Sequence, residues 1–178
     1  HLISWTDAAG SGDMAALFYN QATGIFQYTT MKCPQTLTEQ WLPRRDAYIG
    51  LLELTAIVMR FTTWRLELED ALWTTWQDNS GVLHAVTKGG ATGIHQDANE
   101  ILNMLWLELH HNRTGLFVGK VESGANMADE PTRTLTDDFL SLGAVWRGPI
   151  LPQWLFHIWE NRPSPVFRGE ISPLVKDD

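Results

Sequence analysis

Two stretches far apart in the chain share one form, and a long apolar segment separates them. Trp5-Thr6-Asp7 closes a strand-like run that begins at Ile3 and then breaks into Ala8-Ala9-Gly10-Ser11-Gly12. Trp76-Gln77-Asp78 closes a second run that begins at Leu72. Side chains alternate along a strand, so Ile3, Trp5 and Asp7 share one face, as do Leu72, Thr74, Trp76 and Asp78. A carboxylate on an apolar face is costly unless something compensates it. Asp7 also suits a turn, because Asp and Gly are ordinary turn residues. If a helix crosses between the two strands, they run parallel and can be neighbours. Their carboxylates then lie about 5 Å apart. Like charges that close repel, and a divalent cation is the usual remedy.

The intervening segment has the pattern of such a helix. Asp46 can cap a helix from Ala47 to about Trp64, which holds no proline and one early glycine, Gly50. Its sequence is apolar almost all round, which predicts burial. Glu53 falls on the stripe of Ile49, Leu52, Ala56 and Ile57, a third carboxylate in an apolar setting. The helix dipole also favours glutamate in the first turns, which is the structural alternative for this residue.

Around this core the remaining elements follow in order. Ala15 to Asn20 and Ile25 to Thr30 read as strands joined by the turn Gln21-Ala22-Thr23-Gly24, giving a three-stranded antiparallel meander with the first strand. Residues 31–45 show no sustained period and read as irregular, with Arg44-Arg45 in a solvated loop. Ser80 to Thr87 reads as a short helix broken by Gly89-Gly90. Ile94 to Asn112 reads as a longer one, striped by Ile101, Leu102, Leu105, Trp106 and Leu109. Gly115 to Val121 is a fifth strand. Asn126 or Asp129 caps a last helix reaching about Leu142, with Pro131 tolerated in its first turn. Beyond Gly143 the composition shifts to Pro149, Pro152, Pro163, Pro165 and Pro173 with Trp146, Trp154, Phe156 and Trp159. The expected organisation is a domain over 1–143 and an irregular extension over 144–178 that docks on this domain or on a partner.

Composition sets the outer limits. With 178 residues, 44% of them hydrophobic, the chain can bury a sizeable core. A formal charge of −8 argues against a free-standing nucleic-acid binder that relies on a basic face, yet leaves room for an enzyme that reaches polyanions through metal ions. The single cysteine, Cys33, excludes an internal disulfide and fits a reducing, intracellular setting, nucleus or cytoplasm. The apolar run from Ile49 to Phe61 is interrupted by Glu53 and Arg60 and is too short to span a bilayer, so no membrane association is expected. The chain opens on His1 with no signal-peptide pattern, and is expected to be cut from something larger. His110-His111 suits a helix end through the dipole, while His84, His95 and His157 have no partner at ligand spacing.

Carboxylates thus fall at the end of strand one, inside the first long helix, at the end of strand four and at the start of the last helix. The order of elements and these four positions resemble the ribonuclease H fold over roughly residues 1–143. The motifs that carry the resemblance are Trp5-Thr6-Asp7-Ala8-Ala9-Gly10, Leu51-Leu52-Glu53-Leu54-Thr55-Ala56, Gln77-Asp78-Asn79-Ser80 and Asn126-Met127-Ala128-Asp129. The Leu-Glu-Leu helix, the Asp-Asn strand end and Gly124-Ala125-Asn126-Met127-Ala128-Asp129 followed by Arg133 are most similar to ribonuclease H domains attached to reverse transcriptases. The type is that of retrotransposons which integrate with a tyrosine recombinase.

The resemblance implies an α/β domain with a five-stranded mixed sheet, three strands antiparallel and then two parallel, flanked by helices. It implies a catalytic and metal-binding tetrad of Asp7, Glu53, Asp78 and Asp129, with Glu130 as the fallback for the last. Two Mg²⁺ (or Mn²⁺) ions would serve hydrolysis of the RNA strand of RNA–DNA hybrids, and hard oxygen ligands suit those ions better than zinc. Ala8, Gly10 and Asn79 would contact the substrate, where 2′-hydroxyls distinguish RNA from DNA. The implied partners are the hybrid and a reverse transcriptase or other domains of a longer parent chain. Two departures stand out. Glu122-Ser123-Gly124-Ala125-Asn126 lacks the histidine that many cellular members carry before the last aspartate, which bears on turnover, and no basic protrusion is evident. The competing expectations are a catalytically weak scaffold of the same fold and a resolvase- or integrase-type nuclease that shares the metal chemistry.

Overall fold

A computed structural model describes residues 1–42, 48–91, 96–135 and 137–160. Strand β1 (Leu2–Ala8), β2 (Asp13–Asn20) and β3 (Ile25–Lys32) form the antiparallel meander. Helix α1 (Gln35–Trp41) follows, then α2 (Tyr48–Thr63), the single turn α3 (Arg65–Leu68) and strand β4 (Leu72–Gln77). Next come α4 (Ser80–Lys88), α5 (Gln96–His111) and β5 (Gly115–Lys120). The chain continues with α6 (Asp129–Arg133), α7 (Asp137–Ser141), β6 (Val145–Trp146) and α8 (Gln153–Glu160). The sheet runs β5-β4-β1-β2-β3-β6, with β1–β4, β4–β5 and β3–β6 parallel. Asp46, Arg44, Arg45, His95 and residues 161–178 lie outside the described residues.

The crossover through α2 makes β1 and β4 parallel neighbours, as the sequence predicts. Leu2 pairs with Trp73 and Trp5 with Trp76. The same offset carried two residues further puts Asp78 beside Asp7. Asn79 is the N-cap of α4, its Oδ1 accepting from the Gly81 and Val82 amides at 3.0 and 3.2 Å. The chain therefore turns into α4 immediately after Asp78, which holds that carboxylate at the strand's rim.

The two faces of the sheet differ from the pattern expected of β1 and β4. The face with Ile3 and Trp5 is only half-buried, whereas Ser4, Thr6, Thr75 and Gln77 on the opposite face are fully buried under α2. That polar face has partners. Arg60 of α2, also fully buried, donates from Nη1 to Ser4 Oγ at 2.7 Å and to Thr75 Oγ1. Its guanidinium lies 3.8 Å from the centroid of the Trp73 ring, and Trp73 Nε1 donates to Ser4 Oγ at 2.6 Å. Burial pushes Arg60 well below the ordinary arginine range, and no described carboxylate pairs with it. Hydroxyl acceptors and a ring face stabilise the cation in place of a counter-ion.

Apolar packing surrounds this strip. On the α2 side, Met14, Ala16 and Phe18 meet Leu52, Ala56, Met59 and Trp64 with Ile101, Leu102 and Leu105 of α5. On the other side a smaller cluster joins Leu17, Tyr28, Ala128 and Phe139.

Three features differ from expectation. Residues 35–41 are helical rather than irregular, because Leu37 and Trp41, four apart, both bury in the main core. The last helix is broken: α6 stops at Arg133, Thr134 is extended, and α7 then sets Phe139 edge-on to Tyr28 at 5.4 Å. A sixth strand, Val145–Trp146, joins the β3 edge inside the segment read as irregular. Beyond it Leu155 is fully buried in the main core, with Leu151, Trp154 and Phe156 packed around it.

Trp64 is fully buried, stacks on Phe18 at 5.2 Å and 13°, and donates from Nε1 to Gln27 Oε1 at 2.7 Å. It pins the end of α2 over β2 and β3. Trp64→Ala is expected to destabilise the fold by about 3–5 kcal/mol, measured by denaturant unfolding. A loss under about 1 kcal/mol would show that the site collapses without cost.

Candidate active site

The end of β1, the middle of α2 and the turn after β4 converge on one point. Asp7, Glu53 and Asp78 each offer a carboxylate oxygen, and these lie within 4.8 Å of one another. Asp7 and Glu53 are buried and Asp78 is half-buried. Among the described residues this is the only such trio of potential metal ligands, and the one described cation that touches it, Lys120, donates from Nζ to the main-chain oxygen of Asp78 at 2.7 Å and not to a carboxylate. All three donors are hard oxygens, which fit a divalent Mg²⁺ or Mn²⁺ ion.

Two of the three carboxylates are held by side-chain partners of their own. Glu53 Oε2 accepts from Gln77 Nε2 at 2.6 Å, and Gln77 Oε1 accepts from Thr6 Oγ1 at 2.8 Å. Asp7 Oδ2 accepts from Thr132 Oγ1 at 2.8 Å, and the same hydroxyl lies 2.7 Å from the main-chain oxygen of Asp129. Asn126 is buried and donates from Nδ2 to the Thr6 carbonyl at 3.0 Å, while its Oδ1 accepts from the Ala128 amide at 3.2 Å. This clamp ties the start of α6 to the strand that carries Asp7.

Asp129 stands at the rim of the trio. Its Oδ1 is held by Arg133 Nε at 3.2 Å and Nη2 at 2.9 Å, yet its charge is felt at Asp7, whose proton affinity it raises.

Burial pushes the Glu53 carboxyl up from 4.5 to about 8, against the Gln77 hydrogen bond and with help from the charges of Asp7 and Asp78. Burial likewise raises Asp7, offset by Thr132 and increased by Asp78 and Asp129. The Ala8 backbone N–H lowers both. Ala8 is thus part of the carboxylate setting through its amide, Gly10 lies exposed in the turn between β1 and β2 near Ile49, and Asn79 spends its Oδ1 on capping α4. A groove of about 490 Å³ opens from Asn79 between α2 and α4, lined by Ile49, Leu51, Leu54, Val82 and Ala85 among others.

No protein-family model matches the chain, and no curated protein does. Among solved structures, LC11-RNase H1, isolated from compost by a metagenomic approach, superposes with a TM-score of 0.51 at 8% sequence identity, covering 70% of this chain and 85% of that one. The fold is ribonuclease H-like. Within that ribonuclease H-like frame, reading the sequence singled out Asp7, Glu53, Asp78 and Asp129 but missed Gln77 and Thr132, and took Asn126 only for a helix cap. Gln77 had one visible signal, a polar side chain in phase with Trp73 and Thr75. Thr132 had none, since its target lies 125 residues away.

Glu53 carries a linkage that a melting experiment can read. The unfolded chain ionises Glu53 near 4.5, whereas the folded one keeps its proton to about 8. Between those values the folded state binds more protons, so stability falls as pH rises. The metal-free melting temperature is expected to drop across this interval, by less in Glu53→Gln, and Mn²⁺ at the upper end should restore it. Equal slopes in the two proteins would remove Glu53 as the source.

Proposed function

We propose that the chain is a metal-dependent endonuclease that hydrolyses the RNA strand of RNA–DNA hybrids. The observation that carries this reading is the convergence of Asp7, Glu53 and Asp78 at the rim of the parallel β1–β4 pair, with Asp129 adjacent, in a ribonuclease H-like fold. Asp7, Glu53 and Asp78 would hold two divalent cations, with Asp129 completing the set once it turns from Arg133. Such cations supply Lewis-acid stabilisation of charge at a scissile phosphate and lower the pKa of a bound water.

The protein's own groups set the conditions. Glu53 holds a proton near neutral pH, so cation binding must release it, and affinity rises with pH. Thr132 and Gln77 each fix one oxygen of a carboxylate, Asp7 Oδ2 and Glu53 Oε2. This limits the reorganisation needed when a ligand arrives. The Ala8 backbone, Gly10 and Asn79 would contact the 2′-hydroxyls of an RNA strand. The acidic chain has few cations to grip the hybrid, so a longer parent would supply much of the binding surface. On the strength of the motifs around Glu53, Asp78 and Asp129, we place it in a retroelement-derived polyprotein beside a reverse transcriptase.

A second reading, a scaffold with little turnover, draws on the Arg133–Asp129 ion pair and the charge of −8. A labelled hybrid incubated with Mg²⁺ separates the two. The wild type is expected to cut the RNA strand, and Asp78→Asn to be slower by at least about 100-fold. Duplex and branched DNA serve as comparison substrates. Hybrid left intact by a protein that still binds Mn²⁺ would favour the scaffold, and preferential cutting of branched DNA would point to a resolvase.

A further inference from the structure

We propose that Gln77 is a positioning residue whose buried carboxamide, itself oriented by Thr6, aims the Glu53 carboxylate at the cation site. The inference rests on the reading of Asp7, Glu53 and Asp78 as cation ligands and goes beyond it, to a residue outside that set.

The geometry is directional. Once a cation has displaced the Glu53 proton the carboxylate can only accept, so the Gln77 group that faces Oε2 at 2.6 Å is the Nε2 amide. Its Oε1 then faces Thr6, whose hydroxyl donates at 2.8 Å. Thr6 and Gln77 are fully buried and Glu53 nearly so, so none of the three can exchange its partner for bulk water. A carboxamide that turned over would set its oxygen against the Glu53 carboxylate, two acceptors in contact with no proton between them. In the observed orientation the Thr6 hydroxyl completes the pairing by donating to Oε1.

The backbone supports the same relay. The β1–β4 register ends with Trp5 opposite Trp76, and the same offset carried one residue further sets Thr6 beside Gln77, one residue before Asp7 and Asp78 respectively. The strand pairing that brings two carboxylates to the rim therefore brings Thr6 and Gln77 together beneath α2. Glu53 reaches the trio from the helix and not from the sheet, so its orientation depends on a contact across the interface. Gln77 is the side chain that makes that contact, beside the Ala8 backbone N–H. Hydrogen-bond partners of metal-binding side chains commonly change metal affinity about 10–100-fold when removed.

The test is calorimetric titration of Mn²⁺ into the whole chain, alongside thermal unfolding in chelator and cleavage of labelled hybrid. Gln77→Met keeps the length and removes both polar atoms. It is expected to weaken Mn²⁺ binding about 10-fold or more, to lower kcat with KM for the hybrid unchanged, and still to unfold cooperatively. Thr6→Val, which leaves Gln77 in place, should weaken Mn²⁺ in the same direction by less, and should add nothing in the Gln77→Met background. It also carries the test if Gln77→Met does not fold. A purely structural role would lower the melting temperature while leaving Mn²⁺ affinity within about twofold in both variants, and that result overturns the proposal. If the wild type binds Mn²⁺ but cuts no hybrid, the nuclease reading fails while the Gln77 effect on affinity still stands or falls by itself. If the wild type binds no Mn²⁺, both fail.

Discussion

The parallel pairing of β1 with β4 is the constraint on which the rest of the molecule depends. Two strands that run the same way need a crossover, and α2 with its short extension α3 is that crossover. The register then has two consequences. It sets Asp7 and Asp78 side by side at one rim, and it sets Ser4, Thr6, Thr75 and Gln77 on one buried face. The first is unfavourable alone: two unit charges about 5 Å apart repel by roughly 3 kcal/mol at an effective dielectric of 20. Burial is the main cause of the raised proton affinities of Asp7 and Glu53 and the charge of Asp78 adds to both, a repulsion that a bound cation would relieve.

The second consequence explains how α2 can carry two ionisable side chains, Glu53 and Arg60, into its buried interface with the sheet. Glu53 and Arg60 are seven residues apart, two turns along one helix face, about 10 Å. Neither pairs with the other's charge. Each meets instead a rung of the β1–β4 strip: Glu53 through Gln77 and Thr6, Arg60 through Ser4 and Thr75 with the Trp73 ring. A buried ion without partners costs several kcal/mol, so the strip has to be polar wherever α2 is. Trp64, Leu52 and Ala56 around it supply the apolar burial that keeps α2 in place.

The C-terminal third closes the site from the opposite face. Asn126 grips the Thr6 carbonyl and Thr132 grips Asp7, so residues more than a hundred positions away reach the first strand directly. The break between α6 and α7 lets Phe139 bury against Tyr28 while Thr132 keeps its contact with Asp7. Past that point Val145 and Trp146 extend the sheet along β3, and Leu155 returns to the core on the α2 side. The segment that composition marks as irregular is therefore joined to the β3 edge of the sheet and to the α2-side core over its described part.

Local chemistry by itself determined much of this. Alternation and turn residues marked the meander, the apolar run marked α2, and Asp7, Glu53 and Asp78 were visible because a charge in an apolar pattern needs a reason, whereas Asp129 entered only through the resemblance to ribonuclease H motifs. The short helix α1 was overlooked although Leu37 and Trp41 had the spacing for it, since seven residues offer less than two full periods. What only the tertiary structure decided was which face of β1 is buried, and which polar groups support the carboxylates. Ile3 and Trp5 look like a core face, but α2 packs on Ser4 and Thr6 because that face can satisfy Glu53 and Arg60. Gln77, Thr132 and Asn126 act on atoms brought near by folding. No periodicity records a hydrogen bond between residues 125 apart, because its energy depends on distance in space and not along the chain.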